Sequence, residues 1–291
     1  MADQHLLCLG FGFTAQTLAR MLPREGWRVT GTTRSAEGLA ALRERGVEAV
    51  LWPGTDLGEA LRSATHIISS VPPRGGEDPA LNVLREHAGD MPSLAWLGLL
   101  STTGVYGDHD GDWVDEDAPL VMRDHRGGAR AMQDAEWVAF AERNALPLHR
   151  FRLAGIYGPG RSALDKMRDG TARRIIKPGQ VFSRIHVEDI AQTLLASFAQ
   201  PNPGRAYNLA DDLPGPPQDV IAHAAELLGL PIPPDVDFET AELSPMARSF
   251  YADNKRIRND RIKTELGVRL RYPNYRVGLS AILAGEAGDT D

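Results

Sequence analysis

Cysteine is almost absent. The 291-residue chain has one, Cys8, so no disulfide can form within it and no metal site built on thiolates is expected. Lying in an apolar run, Cys8 reads as a small buried side chain. Runs of Lys and Arg are missing too, and a formal net charge of -7 disfavours a general affinity for phosphate backbones, so nucleic acid is not an expected partner. Nowhere do about 18 apolar residues run together. The opening MADQHLLCLG has no basic segment followed by an apolar one, so neither a membrane span nor a secretory leader is expected. The expectation is a soluble, cytoplasmic protein. The eight histidines form no H-x-x-x-H or H-E-x-x-H pair, which removes the usual catalytic zinc motifs. No G-x-S-x-G elbow marks a hydrolase. The acidic stretch from Asp108 to Asp117 imitates a calcium loop, but Gly111 falls at its fourth position instead of its sixth, and its twelfth is Pro119 instead of Glu. It reads as a solvent-facing loop at a cleft rim.

What is present is enough apolar material, 42% of the chain, to bury a substantial core. Short β-prone runs alternate with helical patterns through the first two-thirds, the signature of a parallel sheet covered on both faces. The runs are HLLCLG (5–10), WRVTGTT (27–33), EAVLW (48–52), THIISSV (65–71), SLAWLGLLS (93–101) and LPLHRFRLAGIYG (146–158). Helices are expected at 14–22, 36–45, 57–63, 79–89 and 129–143, then at 186–200, with a late strand at 206–211. Beyond Leu213, prolines bracket a further helix, PQDVIAHAAELLG. These features imply an α/β fold: a doubly wound parallel sheet of Rossmann type with a smaller irregular C-terminal lobe. The dinucleotide-binding domain is expected over 1–158, with 180–212 returning to it, and the smaller lobe over 159–179 and 213–291.

The pattern Gly10-Phe11-Gly12-Phe13-Thr14-Ala15 follows the first strand directly and opens a helix, which is the context a dinucleotide-binding turn requires. Gly10 would allow the tight turn, Gly12 the close approach of backbone to a pyrophosphate, and Ala15 close packing of helix on strand. The phosphate charge would then sit at a helix N-terminus, where free N–H groups and the dipole favour it. The second strand runs into Thr33-Arg34-Ser35, with no acid until Glu37. An Arg flanked by hydroxyls suits a 2'-phosphate, because a guanidinium bonds it in two places. The reading therefore favours NADP over NAD, the alternative being that Arg34 is a solvated residue at the start of the next helix.

Four further segments carry a family resemblance: Ser101-Thr102-Thr103-Gly104-Val105-Tyr106-Gly107, Arg152 to Gly160 (RLAGIYGPG), Phe182 to Ile190 (FSRIHVEDI) and Tyr207-Asn208-Leu209-Ala210-Asp211. In order and spacing they resemble the extended short-chain dehydrogenase/reductases, which include the NAD(P)-dependent sugar-nucleotide epimerases and dehydratases. The resemblance runs over roughly residues 5 to 284. It implies that Thr102 hydrogen-bonds the reacting oxygen of the substrate, that Ser70, Val71 and Pro72 line the cofactor's ribose and pyrophosphate, and that Ala154 and Ile156 belong to the stretch passing the nicotinamide. His186 and Asp189 match a signature that is structural rather than catalytic. The resemblance also implies a Y-x-x-x-K acid/base pair on the helix after the fifth strand. Aligned on Glu136, its positions hold Gly128 and Met132, which can neither move a proton nor hold a ribose.

Candidate substitutes are Tyr106, with packing or substrate lining as its alternative, and the pair Arg126 and Arg130 as a source of positive charge, with a solvated helix face as theirs. The one Y-x-x-x-K in the chain, Tyr251 to Lys255, lies far downstream and reads as a surface helix start. The expected function is an NAD(P)-dependent oxidoreductase or epimerase/dehydratase-like protein acting on a small, sugar-like substrate. A non-catalytic NADP(H) sensor is the alternative. A homodimer through the helix at 129–143 is the expected assembly.

Overall fold

The computed structural model describes residues 4–23, 25–122 and 126–288, without the side chains of 126, 287 and 288. Its strands are β1 (Gln4–Leu9), β2 (Trp27–Thr33), β3 (Glu48–Leu51), β4 (His66–Ser69), β5 (Trp96–Thr102), β6 (Trp113–Val114), β7 (Leu148–Leu153), β8 (Gly155–Tyr157), β9 (Arg174–Ile176), β10 (Arg184–His186), β11 (Ala206–Leu209), β12 (Asp235–Asp237) and β13 (Arg256–Ile257). Its helices are α1 (Phe13–Met21), α2 (Ala36–Glu44), α3 (Gly58–Ser63), α4 (Pro79–Glu86), α5 (Arg126–Arg143), α6 (Ala163–Arg168), α7 (Val187–Ala199), α8 (Pro217–Leu228), α9 (Pro245–Phe250), α10 (Asp260–Glu265) and α11 (Tyr275–Gly288). The chain divides into two compact units: Met1–Val105 with Leu120–Arg152 and Ala191–Tyr207, and Tyr106–Pro119 with Leu153–Ile190 and Asn208–Asp291.

The first unit is built on a seven-stranded sheet ordered β11-β7-β5-β4-β1-β2-β3. From β3 to β5 every neighbour pairs in parallel, with Leu6 of β1 opposite Val29 on one side and His66 on the other. This is the doubly wound order: the chain runs outward from β1 through β2 to β3, crosses from β3 to β4 on the other side of β1 and continues to β5, which leaves a crevice at the carboxyl ends of β1 and β4. The apolar runs become strands buried on both faces: Leu7, Leu9, Ile67, Leu97 and Leu99 pack against Leu61, Leu81, Leu84 and Trp137 of the covering helices. Helix α4 starts where Asp78 accepts from the N–H groups of Ala80 and Leu81 and Pro79 takes the first turn, the two strongest local start signals.

One cluster of this unit makes it sensitive to acid. His66 on β4 is 6% exposed and packs on Trp27 and Phe198, with ring centroids 4.9 and 4.7 Å away. Burial pushes its pKa down to about 4. A folded-state value below the ordinary value of 6.5 means that the neutral ring is the one that fits. Its stabilisation is complete above pH 6.5 and is lost as pH falls toward 4. Between pH 7 and pH 5 the wild type is therefore expected to lose about 2 kcal/mol more stability than His66→Phe. Urea unfolding of both proteins at the two pH values checks this, and equal losses would contradict it.

The second unit is made of three short parallel ladders, β8 with β10, β9 with β12, and β6 with β13. One of its cores joins Tyr157, Leu164, Val220, Ala224, Tyr275, Leu279 and Ile282, and another joins Ile175, Ala241 and Tyr251. Here the contacts divide the chain differently from the sequence reading. Residues 106–119 and 180–190 fall in this unit, because β6 pairs with β13, far downstream in sequence, and β10 pairs with β8 instead of joining the large sheet. For the same reason the single strand read at 146–158 is two: β7 ends at Leu153, and Gly155 donates to the Ser183 carbonyl at 3.1 Å.

Candidate functional site

The first unit turns sharply between β1 and α1. Gly10 sits at φ +83°, a left-handed conformation, and a Cβ there would lie 2.8 Å from Ser70 Oγ and 3.3 Å from Val71 Cγ2. Side chains from two neighbouring strands fix the turn. Thr32 of β2 accepts from Gly10 N through its hydroxyl at 2.7 Å and from Phe11 N through its carbonyl at 3.1 Å. Ser70, just after β4, donates its hydroxyl to the Gly10 carbonyl at 3.0 Å. Gly31 clears room for the turn's aromatic ring, since a Cβ at that position would stand 2.6 Å from the Phe11 ring. Neither Thr32 nor Gly31 was singled out from the sequence, although both lie in the strand that follows the motif.

Gly12 is the N-cap of α1, and nothing lies within 4 Å of where its Cβ would be. No side chain caps this helix and its first turn holds no acid, so no carboxylate of its own offsets the positive end of its dipole. Thr14 and Ala15 are buried at 6% and 2%, and Phe13 is half-buried. Ala15 is therefore the small residue where helix meets strand. The turn fits a pyrophosphate on two observations of this chain: a cradle that a Cβ at Gly10 would fill, and open space beside Gly12 in front of an uncapped helix.

At the end of β2, Thr33 is half-buried and Arg34 and Ser35 are exposed. Ser35 caps α2, accepting from Gly38 N at 3.1 Å. The Arg34 side chain makes no hydrogen bond or ion pair among the described residues. The Ser70-Val71-Pro72 segment is braced from behind: Gln133 Nε2 of α5 donates to the Val71 carbonyl at 3.2 Å and to Asp78 Oδ2 at 2.6 Å. Trp137 Nε1 donates to the same carboxylate oxygen at 2.6 Å. Gly10, Gly12, Phe13, Thr14, Ala15, Thr33, Arg34, Ser35, Ser70, Val71 and Pro72 thus all lie in the first unit, at the carboxyl ends of β1, β2 and β4. Thr102, at the end of β5, is half-buried, and its hydroxyl accepts from Gly104 N at 3.1 Å.

The second unit holds the other candidates. Ala154 is buried and donates its N–H to the Leu209 carbonyl at 3.0 Å, and Ile156 pairs with Ile185. Tyr106 requires a correction. It is fully buried, and its hydroxyl donates to Asn208 Oδ1 at 2.6 Å. Asn208 is held in turn by its N–H on Glu116 Oε1 at 2.8 Å. A phenol committed inside a packed network is a strut rather than an acid for a substrate. Glu116 also departs from the solvent-facing loop expected of its stretch, since it is buried and its carboxyl is pushed up by desolvation. Asp189 accepts from Arg271 N and Tyr272 N at 2.8 and 3.0 Å, and burial nonetheless pushes its carboxyl up to about 6.

Tyr251 follows α9 and packs on Phe182 and Phe238, while Lys255 donates to the Gly107 carbonyl at 2.6 Å. This Y-x-x-x-K is a buried anchor for the 107–111 loop, not a surface helix start. On α5, Gly128 is buried and Met132 is 54% exposed. Arg130 donates to the Leu100 carbonyl at 2.6 Å, and the Arg126 side chain lies outside the described residues. Among the described residues no cluster of His, Cys, Asp or Glu is placed to hold a metal ion, and no helix is long and apolar enough to cross a membrane.

No family model matches the chain. In three dimensions it superposes on the structure of a functionally unknown conserved protein from Silicibacter pomeroyi DSS with a TM-score of 0.91, at 57% identity over 97% of this chain and 99% of that one. It also superposes on dTDP-glucose 4,6-dehydratase from Bacillus anthracis in complex with NAD, with a TM-score of 0.74 at 16% identity, over 99% and 98% of the two chains. Its fold is the Rossmann-like α/β fold of the NAD-dependent epimerase/dehydratase structures. Among curated proteins, a 3-diazoavenalumate denitrifying reductase from Streptomyces is 30% identical over 185 residues, which span 57% of this chain and 58% of the reductase. The likeness to NAD-dependent epimerases and dehydratases extends through both units, as the sequence motifs implied.

Proposed function

We propose that this chain binds NADP(H) and acts as an oxidoreductase or epimerase-type enzyme on a small, polar, sugar-like substrate. The observation that carries the reading is the Gly10–Gly12 turn at the β1/β4 crevice, clamped by Thr32 and Ser70 in front of an uncapped α1. The turn and α1 would hold the pyrophosphate, Arg34 and Ser35 a 2'-phosphate, and Ser70-Val71-Pro72 the adjoining ribose. When bound, the dinucleotide supplies hydride transfer at its nicotinamide ring. The hydroxyl of Thr102 would hold the substrate oxygen. The NAD-bound dehydratase of the same fold supports the class of cofactor and says nothing of the 2'-phosphate.

The cofactor assignment is tested at Arg34. Charge reversal in Arg34→Glu is expected to weaken NADPH binding about thirtyfold, the worth of a charge-assisted pair to phosphate, and NADH binding by no more than about threefold. Equal losses in calorimetry would remove the 2'-phosphate from this position.

A second reading is favoured by one specific observation. Gly128 and Met132 stand where the resemblance places the acid/base pair, and the Tyr106 hydroxyl is committed to Asn208. A protein so equipped fits an NADP(H) sensor. The readings separate when the NADPH-loaded protein is offered 4-keto nucleotide sugars: oxidation of NADPH supports the enzyme, and tight binding with no oxidation of any of them supports the sensor.

A further inference from the structure

The loop between β4 and α4 is clasped at its base. Gln133 of α5, 3% exposed, donates one hydrogen of its amide to the carbonyl of Val71, where the loop leaves the strand, and the other to the carboxylate of Asp78, where it enters the helix. Between those ends Arg74 and Glu77 form a hairpin, their backbone N–H groups reaching each other's carbonyls at 2.8 and 3.0 Å. Its two turn residues, Gly75 and Gly76, have φ +60° and +85°. A two-residue turn of this kind needs a left-handed backbone at both positions, which glycine supplies. The hairpin thus has a fixed shape on a fixed base.

Its place is the rim of the crevice. The loop begins at Ser70 and Val71, the residues that a Cβ on Gly10 would touch, and the ligand of an open α/β sheet lies outside the carboxyl ends of such strands. The Gly10-Phe11-Gly12 turn contains no basic side chain, and from Ser70 to Asp78 there is one, Arg74. Arg74 is exposed, and its side chain makes no hydrogen bond or ion pair among the described residues, with Glu77 across the hairpin or with any other. Backbone N–H groups and a helix dipole carry only partial charge, so a pyrophosphate at the turn keeps most of its own. From this arrangement we infer that Arg74 is a further cofactor-binding residue, holding the dinucleotide's pyrophosphate from the β4 side of the crevice. The inference rests on the reading of the Gly10–Gly12 turn as the pyrophosphate site. It gives the two free arginines different tasks: Arg34 separates NADPH from NADH, whereas Arg74 serves both alike, since both carry the pyrophosphate.

The test is Arg74→Gln in the full chain, which leaves every backbone contact of the hairpin in place and removes the charge. In titration calorimetry NADPH and NADH are each expected to bind about fivefold more weakly than to the wild type, the size of one exposed charge pair, with their affinity ratio unchanged. Arg74→Lys restores the charge and is expected to recover most of the loss. Wild-type affinity of Arg74→Gln for both dinucleotides would overturn the inference. So would a loss confined to NADPH, which would put Arg74 on the 2'-phosphate instead. Failure of the underlying reading looks different: a wild type that binds neither dinucleotide removes the pyrophosphate from the turn, and the ligand of Arg74 with it. A wild type that prefers NADH refutes only the 2'-phosphate at Arg34, and Arg74 is still scored on the shared loss.

Discussion

Gly12→Ala is expected to leave thermal stability unchanged and to weaken dinucleotide binding about a hundredfold, whereas Gly10→Ala is expected to lose both. The two glycines serve different physical ends. Gly12 has φ -90°, a conformation open to any residue, and a Cβ there meets nothing within 4 Å. The protein alone should tolerate a methyl group at this position. That methyl would project into the space where a pyrophosphate must come close to backbone N–H groups, and losing two such hydrogen bonds corresponds to roughly two powers of ten in affinity. Gly10 has φ +83°, and its Cβ would lie 2.8 Å from Ser70 Oγ. Alanine there strains the backbone and pushes on the residue that clamps the turn, at a cost of about 1–3 kcal/mol. Melting curves and calorimetry on both variants check the pair of outcomes. Gly12→Ala binding as well as the wild type would remove the pyrophosphate from this turn.

Asp78→Ala is expected to destabilise the protein by about 4 kcal/mol, the sum of a lost helix cap and of two buried donors left without an acceptor. Asp78 is 6% exposed, and each of its carboxylate oxygens has its own task. Oδ1 accepts from Ala80 N and Leu81 N at 3.0 and 3.1 Å and starts α4. Oδ2 accepts from Gln133 Nε2 and Trp137 Nε1, both at 2.6 Å, and ties α4 to α5. Serine in its place keeps a capping oxygen but cannot reach the two donors, so Asp78→Ser should recover about 1 kcal/mol of the loss. Equilibrium unfolding in urea measures both variants, and a loss below about 1 kcal/mol for Asp78→Ala would contradict the bracing role. Because Gln133 also holds the Val71 carbonyl, the same variant loosens the segment beside the glycine turn.

How much of this was legible in the sequence depends on how local each signal is. The turn at Gly10 to Ala15, its strand and its helix are contiguous, and the alternation of apolar runs with helical patterns specified the doubly wound sheet. The Asp78-Pro79 pair announces the start of α4 in the same way. What escaped depends on partners distant in the chain. Tyr106 reads as an available phenol until Asn208, about a hundred positions later, takes its hydrogen. Glu116 reads as a loop acid until β6 pairs with β13 and the backbone N–H of Asn208 finds it. Lys255 reads as part of a surface helix start, and its amine proves to hold the Gly107 carbonyl. In β2, Thr32 and Gly31 look like ordinary strand residues. Their roles arise only because parallel pairing carries β2 alongside β1 with Gly31 opposite Cys8, which sets Thr32 beside the turn.

The central claim is that the Gly10–Gly12 turn holds the pyrophosphate of a phosphorylated dinucleotide. The most direct test is calorimetric titration of the purified chain with NADP, NADPH, NAD and NADH. The account requires binding of the phosphorylated pair, tighter than that of the other two. No binding of any of the four would contradict it, and the oxidoreductase and the sensor readings would fall together.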